Sequence, residues 1–127
     1  MSEMPIYLDH HATTPVDERV LAAALPYFGA RFGNAASRPH AHGKAALAAV
    51  ELGRAQVAAL LGAKPEEVIF TSGATESDNL AIRGIAEGLS SKGRHIVTVA
   101  TEHPAVLDTV GALQREGWRV TRLEVDK

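Results

Sequence analysis

The residues that could do chemistry gather in two short stretches. The first is Phe70-Thr71-Ser72-Gly73-Ala74-Thr75-Glu76-Ser77-Asp78-Asn79. It follows the apolar run Val68-Ile69-Phe70, short enough for a buried strand, and opens a helical pattern through Leu80, Ile82 and Ile85 to Leu89. A chain that turns at Ser-Gly straight into a helix leaves backbone N–H groups pointing out of the helix N-terminus. With the positive end of the macrodipole they form an anion site for which phosphate is the natural guest. Gly73 permits close backbone approach and positive φ, and Thr75 and Ser77 add hydroxyls. The same pattern also fits a plain helix start, with Ser72 or Thr75 as N-cap and no ligand. The second stretch, Thr101-Glu102-His103-Pro104, follows the apolar run His95 to Ala100. As an imidazole, His103 can move protons or pack, or it can simply start a helix beside Pro104. Glu102 either orients His103 or is solvated.

The elements that must position these residues follow from hydrophobic period. From residue 68 the pattern reads strand, helix, strand, helix, strand: 68–70, 74–89, 95–100, 105–116 and 118–125. Val106, Val110 and Leu113 face inward, Gly117 is a cap and Trp118 is a packing residue. That alternation predicts a parallel α/β sheet, in which ligands bind beyond the carboxyl ends of strands. Both polar stretches fall at such ends. Upstream, Thr14-Pro15-Val16-Asp17 reads as a helix start with Thr14 as N-cap, and Pro26 kinks or ends that helix. Val20, Leu21, Ala24, Leu25 and Phe28 share its apolar side. Residues 29–43 read as a loop. A helix over about 45–61 carries Leu47, Val50, Val57 and Leu61 on one face and stops at Gly62.

Composition narrows the function classes. The 127 residues are 46% hydrophobic and 22% charged, ordinary for one soluble domain. A net charge of −2, without basic runs, argues against nucleic-acid binding. No apolar stretch is long enough to span a membrane, and Met1-Ser2-Glu3-Met4 does not read as a signal peptide, so a cytoplasmic location is expected. There is no cysteine, so no thiolate nucleophile or thiolate metal ligand comes from these residues. His10, His11, His40 and His42 are enough ligands for a metal in principle, but they lack helix-face spacing and an orienting carboxylate, so no metal is expected. A nucleotide-binding module is disfavoured because neither Gly-x-Gly-x-x-Gly nor Gly-Lys-Ser/Thr follows a strand.

Four motifs carry a resemblance. Ile6-Tyr7-Leu8-Asp9-His10-His11-Ala12-Thr13-Thr14-Pro15, Gly33-Asn34-Ala35-Ala36-Ser37, Phe70 to Leu80, and Thr101-Glu102-His103 with Ala105-Val106-Leu107 occur in this order. Together they resemble the N-terminal segment of pyridoxal-phosphate-dependent cysteine desulfurases, of the class V aminotransferase family. Thr71 to Ser77 looks like the branch serving iron–sulfur cluster assembly. His10-His11 and Ala35 depart from the commoner family residues.

The resemblance implies a fold: the N-terminal part of a fold-type-I transferase large domain, α/β with a mostly parallel sheet and flanking helices. Residues 1–43 would form an arm, helix and loop, and residues 44–127 the start of the cofactor-binding domain. It implies that Ala74 and Thr75 bind the phosphate of pyridoxal 5'-phosphate, and that His103 stacks on its ring and moves protons. It implies release of sulfur from L-cysteine, giving L-alanine and an enzyme persulfide. The lysine that anchors the cofactor, the aspartate at its ring nitrogen and the persulfide cysteine belong to later family sequence; Lys44, Lys64, Lys92 and Lys127 do not fall in that lysine motif. A complementary C-terminal chain or segment, a homodimer of the complete unit and a sulfur-acceptor scaffold protein are the implied partners. A non-catalytic fragment that binds the cofactor weakly or not at all is the competing expectation. The family order also places the strands at 68–70 and 95–100 apart, with later strands between them.

Overall fold

The structure, a computed structural model, describes residues 5–126. The tetrapeptide Met1–Met4 and Lys127, both weighed above, lie outside the described residues. The chain divides into two compact units, up to Val68 and from Ile69.

In the first unit, helix α1 spans Glu18–Ala24 and runs into a 3-10 turn at Leu25–Phe28, with Pro26 in its first turn. Pro26 thus tightens and ends the helix as its missing N–H requires. The start differs from expectation. The N-cap is Asp17, not Thr14, because its carboxylate accepts from the Arg19 amide and leaves Thr14 to Val16 outside the helix. Helix α2 spans Ala41–Leu61, four residues earlier than the periodicity indicates. Its N-cap is His40, whose Nδ1 accepts from the Gly43 amide at 3.2 Å. Gly62 ends it at φ 66°, the left-handed conformation that favours glycine. The apolar face expected to be buried on α2 is largely open. Leu61 is 70% exposed, and the full burial goes to Ala58 and Gly43. Phe28 beside α1 is 86% exposed. The apolar stripes are real, but among the described residues no element covers them.

The second unit carries the sheet. Helix α3 spans Ala74–Gly88, strand β1 His95–Val99, helix α4 Pro104–Arg115 and strand β2 Arg119–Leu123. β1 and β2 pair in parallel, His95 opposite Arg119 through Val99 opposite Leu123. The β1–α4–β2 crossover is the expected α/β unit, and α3 packs on α4. The core is Ala86, Leu113 and Trp118, with Ile82 and Ile96 against it. Leu113 has no exposed surface, and Trp118, as expected, is a packing residue, its ring beneath the Arg94 guanidinium at 5.1 Å. Arg83 joins α3 to the end of α4 through Glu116, at 3.1 Å. Strand alternation puts Ile96, Thr98, Val120 and Arg122 on one face and His95, Val97, Arg119 and Thr121 on the other. Val97, on the second face, is 58% exposed.

One expected strand is missing. Val68-Ile69-Phe70 forms no ladder, and the sheet of the described residues has two strands, not three. A strand exists only beside a neighbour that completes its hydrogen bonds. None lies beside 68–70 here, in keeping with the expectation that its neighbours are not among these residues.

Candidate functional site

Ala74, Thr75 and His103 all fall in the second unit, at the first turns of the two helices that pack on each other. Ala74 and Thr75 are the first two residues of α3. Its N-cap is Gly73, not Ser72 or Thr75, and no side chain caps it. Among the described residues the amides of Ala74 and Thr75 donate to nothing, and the Thr75 hydroxyl is likewise unengaged. Gly73 is extended at φ 161°, a conformation open to any residue, so its value lies in bulk alone: among the described residues nothing stands within 4 Å of where a Cβ would sit.

The neighbouring polar groups are organised around this open turn. Glu76 folds back so that one carboxylate oxygen accepts from the Ser72 amide at 2.7 Å and the Ser72 hydroxyl at 2.6 Å. These two bonds, the hydroxyl's first, hold the Glu76 carboxyl below its ordinary value. The Thr71 and Ser77 hydroxyls share a hydrogen bond at 2.6 Å. Ser77 also bonds the Gly73 carbonyl through both its amide and its hydroxyl. Ser77 is thereby spent on the turn rather than offered as a free donor. The set that remains, two amides and a hydroxyl at a helix N-terminus, suits a phosphate group. The 15-residue length of α3 gives it a developed macrodipole.

His103 caps α4: its Nδ1 accepts from the Ala105 amide at 3.1 Å. With Nδ1 accepting, the neutral ring carries its proton on Nε2. His103 is exposed, immediately past the carboxyl end of β1. The cap and proton transfer therefore compete: a ring that exchanges a proton at Nε2 must carry one on Nδ1, which can then no longer accept from the Ala105 amide. No hydrogen bond joins Glu102 to His103 among the described residues.

Three of the four upstream histidines are taken up locally. His10 bonds the Thr14 hydroxyl at 3.2 Å and meets Tyr7 edge-on; His42 stacks on Phe32 at 5.4 Å; His40 caps α2. No group of three metal-ligating side chains gathers among the described residues. Sequence reading missed Gly43 as a packing point. A Cβ there would overlap the Ser37 carbonyl, so the Gly33-to-Ser37 motif closes directly on the first turn of α2. The signal was a glycine lying just ahead of the alanine-rich stretch that opens at Ala45. The structure contains no helix long and apolar enough to cross a membrane among the described residues.

The second unit is thus an α/β unit with a parallel sheet, an open helix start and a capping histidine past a strand end. Residues 6–127 match the family described as Aminotransferase class-V, and the chain belongs to it. The cysteine desulfurase IscS of Anaeromyxobacter sp. (strain Fw109-5) is 59% identical over 98% of this chain. The chain spans 31% of that relative's length. Among solved structures, a NifS-like protein superposes with TM-score 0.84 at 38% identity, over 94% of this chain and 33% of its own. SspA, solved in complex with cysteine, gives TM-score 0.80 at 41% identity, over 92% and 33%. The expected resemblance to cysteine desulfurases is thus found, as is the expectation that this sequence corresponds to about a third of such a protein.

Proposed function

We propose that this chain supplies the phosphate-binding turn and the ring-facing histidine of a pyridoxal-phosphate-dependent cysteine desulfurase. The single observation that carries the reading is the uncapped start of α3, where the Ala74 and Thr75 amides have no partner within the described residues. In this reading those amides and the Thr75 hydroxyl hold the cofactor's phosphate, and the helix dipole favours its charge. His103 lies against the ring and presents an Nε2–H while Nδ1 accepts from the Ala105 amide; to pass a proton at Nε2 the ring gives up that cap and carries a proton on Nδ1. The cofactor, when bound, supplies an electron sink for chemistry on L-cysteine.

The lysine that anchors the cofactor and the cysteine that accepts sulfur come from further sequence, on the same polypeptide or a complementary chain, since the described motifs carry neither. The arm at 1–43 and the domain start at 44–127 fold into that complete unit, which works in the cytoplasm as a homodimer and passes sulfur to an iron–sulfur scaffold protein. The exposed stripes of α1 and α2 and the open face of Val97 support this reading, because each is apolar surface that further sequence would cover. The test is titration of the isotopically labelled chain with pyridoxal phosphate. Saturable amide shifts centred on Ala74, Thr75 and Glu76, weakened in Thr75→Ala, are expected. Shifts that ignore this turn, or that survive Thr75→Ala unchanged, would remove the site from the account.

A further inference from the structure

A second cluster of donors lies on the opposite flank of α4, away from its N-terminus. Arg122, exposed, shares a face of β2 with Val120, and Arg115, also exposed, ends α4. Gly111, one turn before Arg115, has no side chain to fill the space between helix and strand. The Arg115 Nη1 and the Arg122 Nη2 approach one point above it, 3.7 and 3.8 Å from where a Cβ on Gly111 would stand. Ala100, Leu107, Asp108 and Glu124 complete the walls of this groove.

Two converging guanidinium groups repel each other, and an anion between them offsets that repulsion. Among the described residues neither has an ion pair or hydrogen bond: the pairs formed there involve Arg19, Arg54 and Arg83. Asp108 and Glu124 line the groove without pairing to either arginine, so selectivity rests on the geometry of the two forks rather than on net charge. Planar guanidinium forks match tetrahedral oxyanions through paired N–H···O bonds.

We propose that the groove over Gly111 binds a small tetrahedral oxyanion of the phosphate or sulfate class, held between Arg115 and Arg122. This site is separate from the α3 turn and independent of the function assigned to it.

The experiment is titration of the labelled 127-residue chain with inorganic phosphate and, separately, sulfate, at constant ionic strength set with chloride. The readouts are the Gly111 amide and the Nε resonances of Arg115 and Arg122. Saturable shifts at all three are expected, with about a tenfold or greater loss of affinity in Arg115→Gln and in Arg122→Gln, the usual scale for losing a charge-assisted bond. Gly111→Leu fills the groove while meeting only flexible side-chain ends, and should abolish the shifts with the fold intact. Thr75→Ala should leave them unchanged. A preference for phosphate over sulfate, or the reverse, tells which oxyanion the groove serves. Shifts confined to Ala74–Glu76, shifts that survive both arginine substitutions, or no saturation with either anion would overturn the proposal.

Discussion

Two glycines in α2 allow one substitution to be read with opposite signs. At Gly53 nothing lies within 4 Å of a built Cβ, so alanine adds only helix propensity, about 1 kcal/mol. At Gly43 the same methyl would overlap the Ser37 carbonyl and come within 3.1 Å of the Asn34 carbonyl. Those are backbone atoms of a turn held by the Ser37 amide on Asn34 at 2.9 Å and the Arg38 amide on Ala36 at 3.0 Å. They yield less readily than a side chain, which puts the cost near the upper end of the usual overpacking range, about 3 kcal/mol. After the propensity gain, Gly43→Ala should destabilise by about 2 kcal/mol while Gly53→Ala stabilises by about 1 kcal/mol. The assay is urea denaturation followed by helix circular dichroism, with both variants measured beside the parent. If both substitutions stabilise alike, the loop at 33–37 does not close on α2, and the reasoning fails.

Other consequences are as direct. His103→Ala should cost roughly 1 kcal/mol through loss of the α4 cap, whereas His103→Asn should restore stability without restoring proton transfer in the assembled enzyme; equal stability of all three would deny the cap. Glu76 is held below its ordinary value by its bonds to Ser72, so its stabilising effect is complete above pH 4.5 and is lost as pH falls through the lowered folded value. Protection of the Ser72 amide, its exchange measured against the unstructured rate at the same pH, should therefore fall on acidification in the parent and show no such pH step in Glu76→Gln. Trp118→Ala should cost about 3–5 kcal/mol by emptying the centre of the second unit, read by thermal unfolding; a loss below about 1 kcal/mol would mean that the ring is not a core element.

The alternating order of helices and strands beyond residue 90 was legible because its partners are local. Leu113, Ile96 and Trp118 find each other within one β–α–β unit, so period alone locates them. The stretch 68–70 has an equally strong apolar run and forms no strand, because pairing depends on neighbours that these residues do not include. The same reasoning covers α1 and α2, whose stripes were read correctly and whose burial was not. At the site, the open turn at Ala74 and Thr75 was legible from Ser-Gly followed by a helical period. The identity of the cap was not, because Glu76 reaches back to Ser72 and takes its amide and hydroxyl, leaving Gly73 as the boundary. His40 was seen only as a candidate ligand; that its Nδ1 meets the Gly43 amide depends on a helix starting four residues earlier than the apolar pattern.

The most direct measurement is the native mass and visible spectrum of the assembly purified through this chain from its source. A yellow species containing the sequence that bears the lysine and the cysteine is expected, with colour retained less well in Thr75→Ala. A colourless species built of these 127 residues alone would contradict this, leaving kinship to the desulfurases without their chemistry.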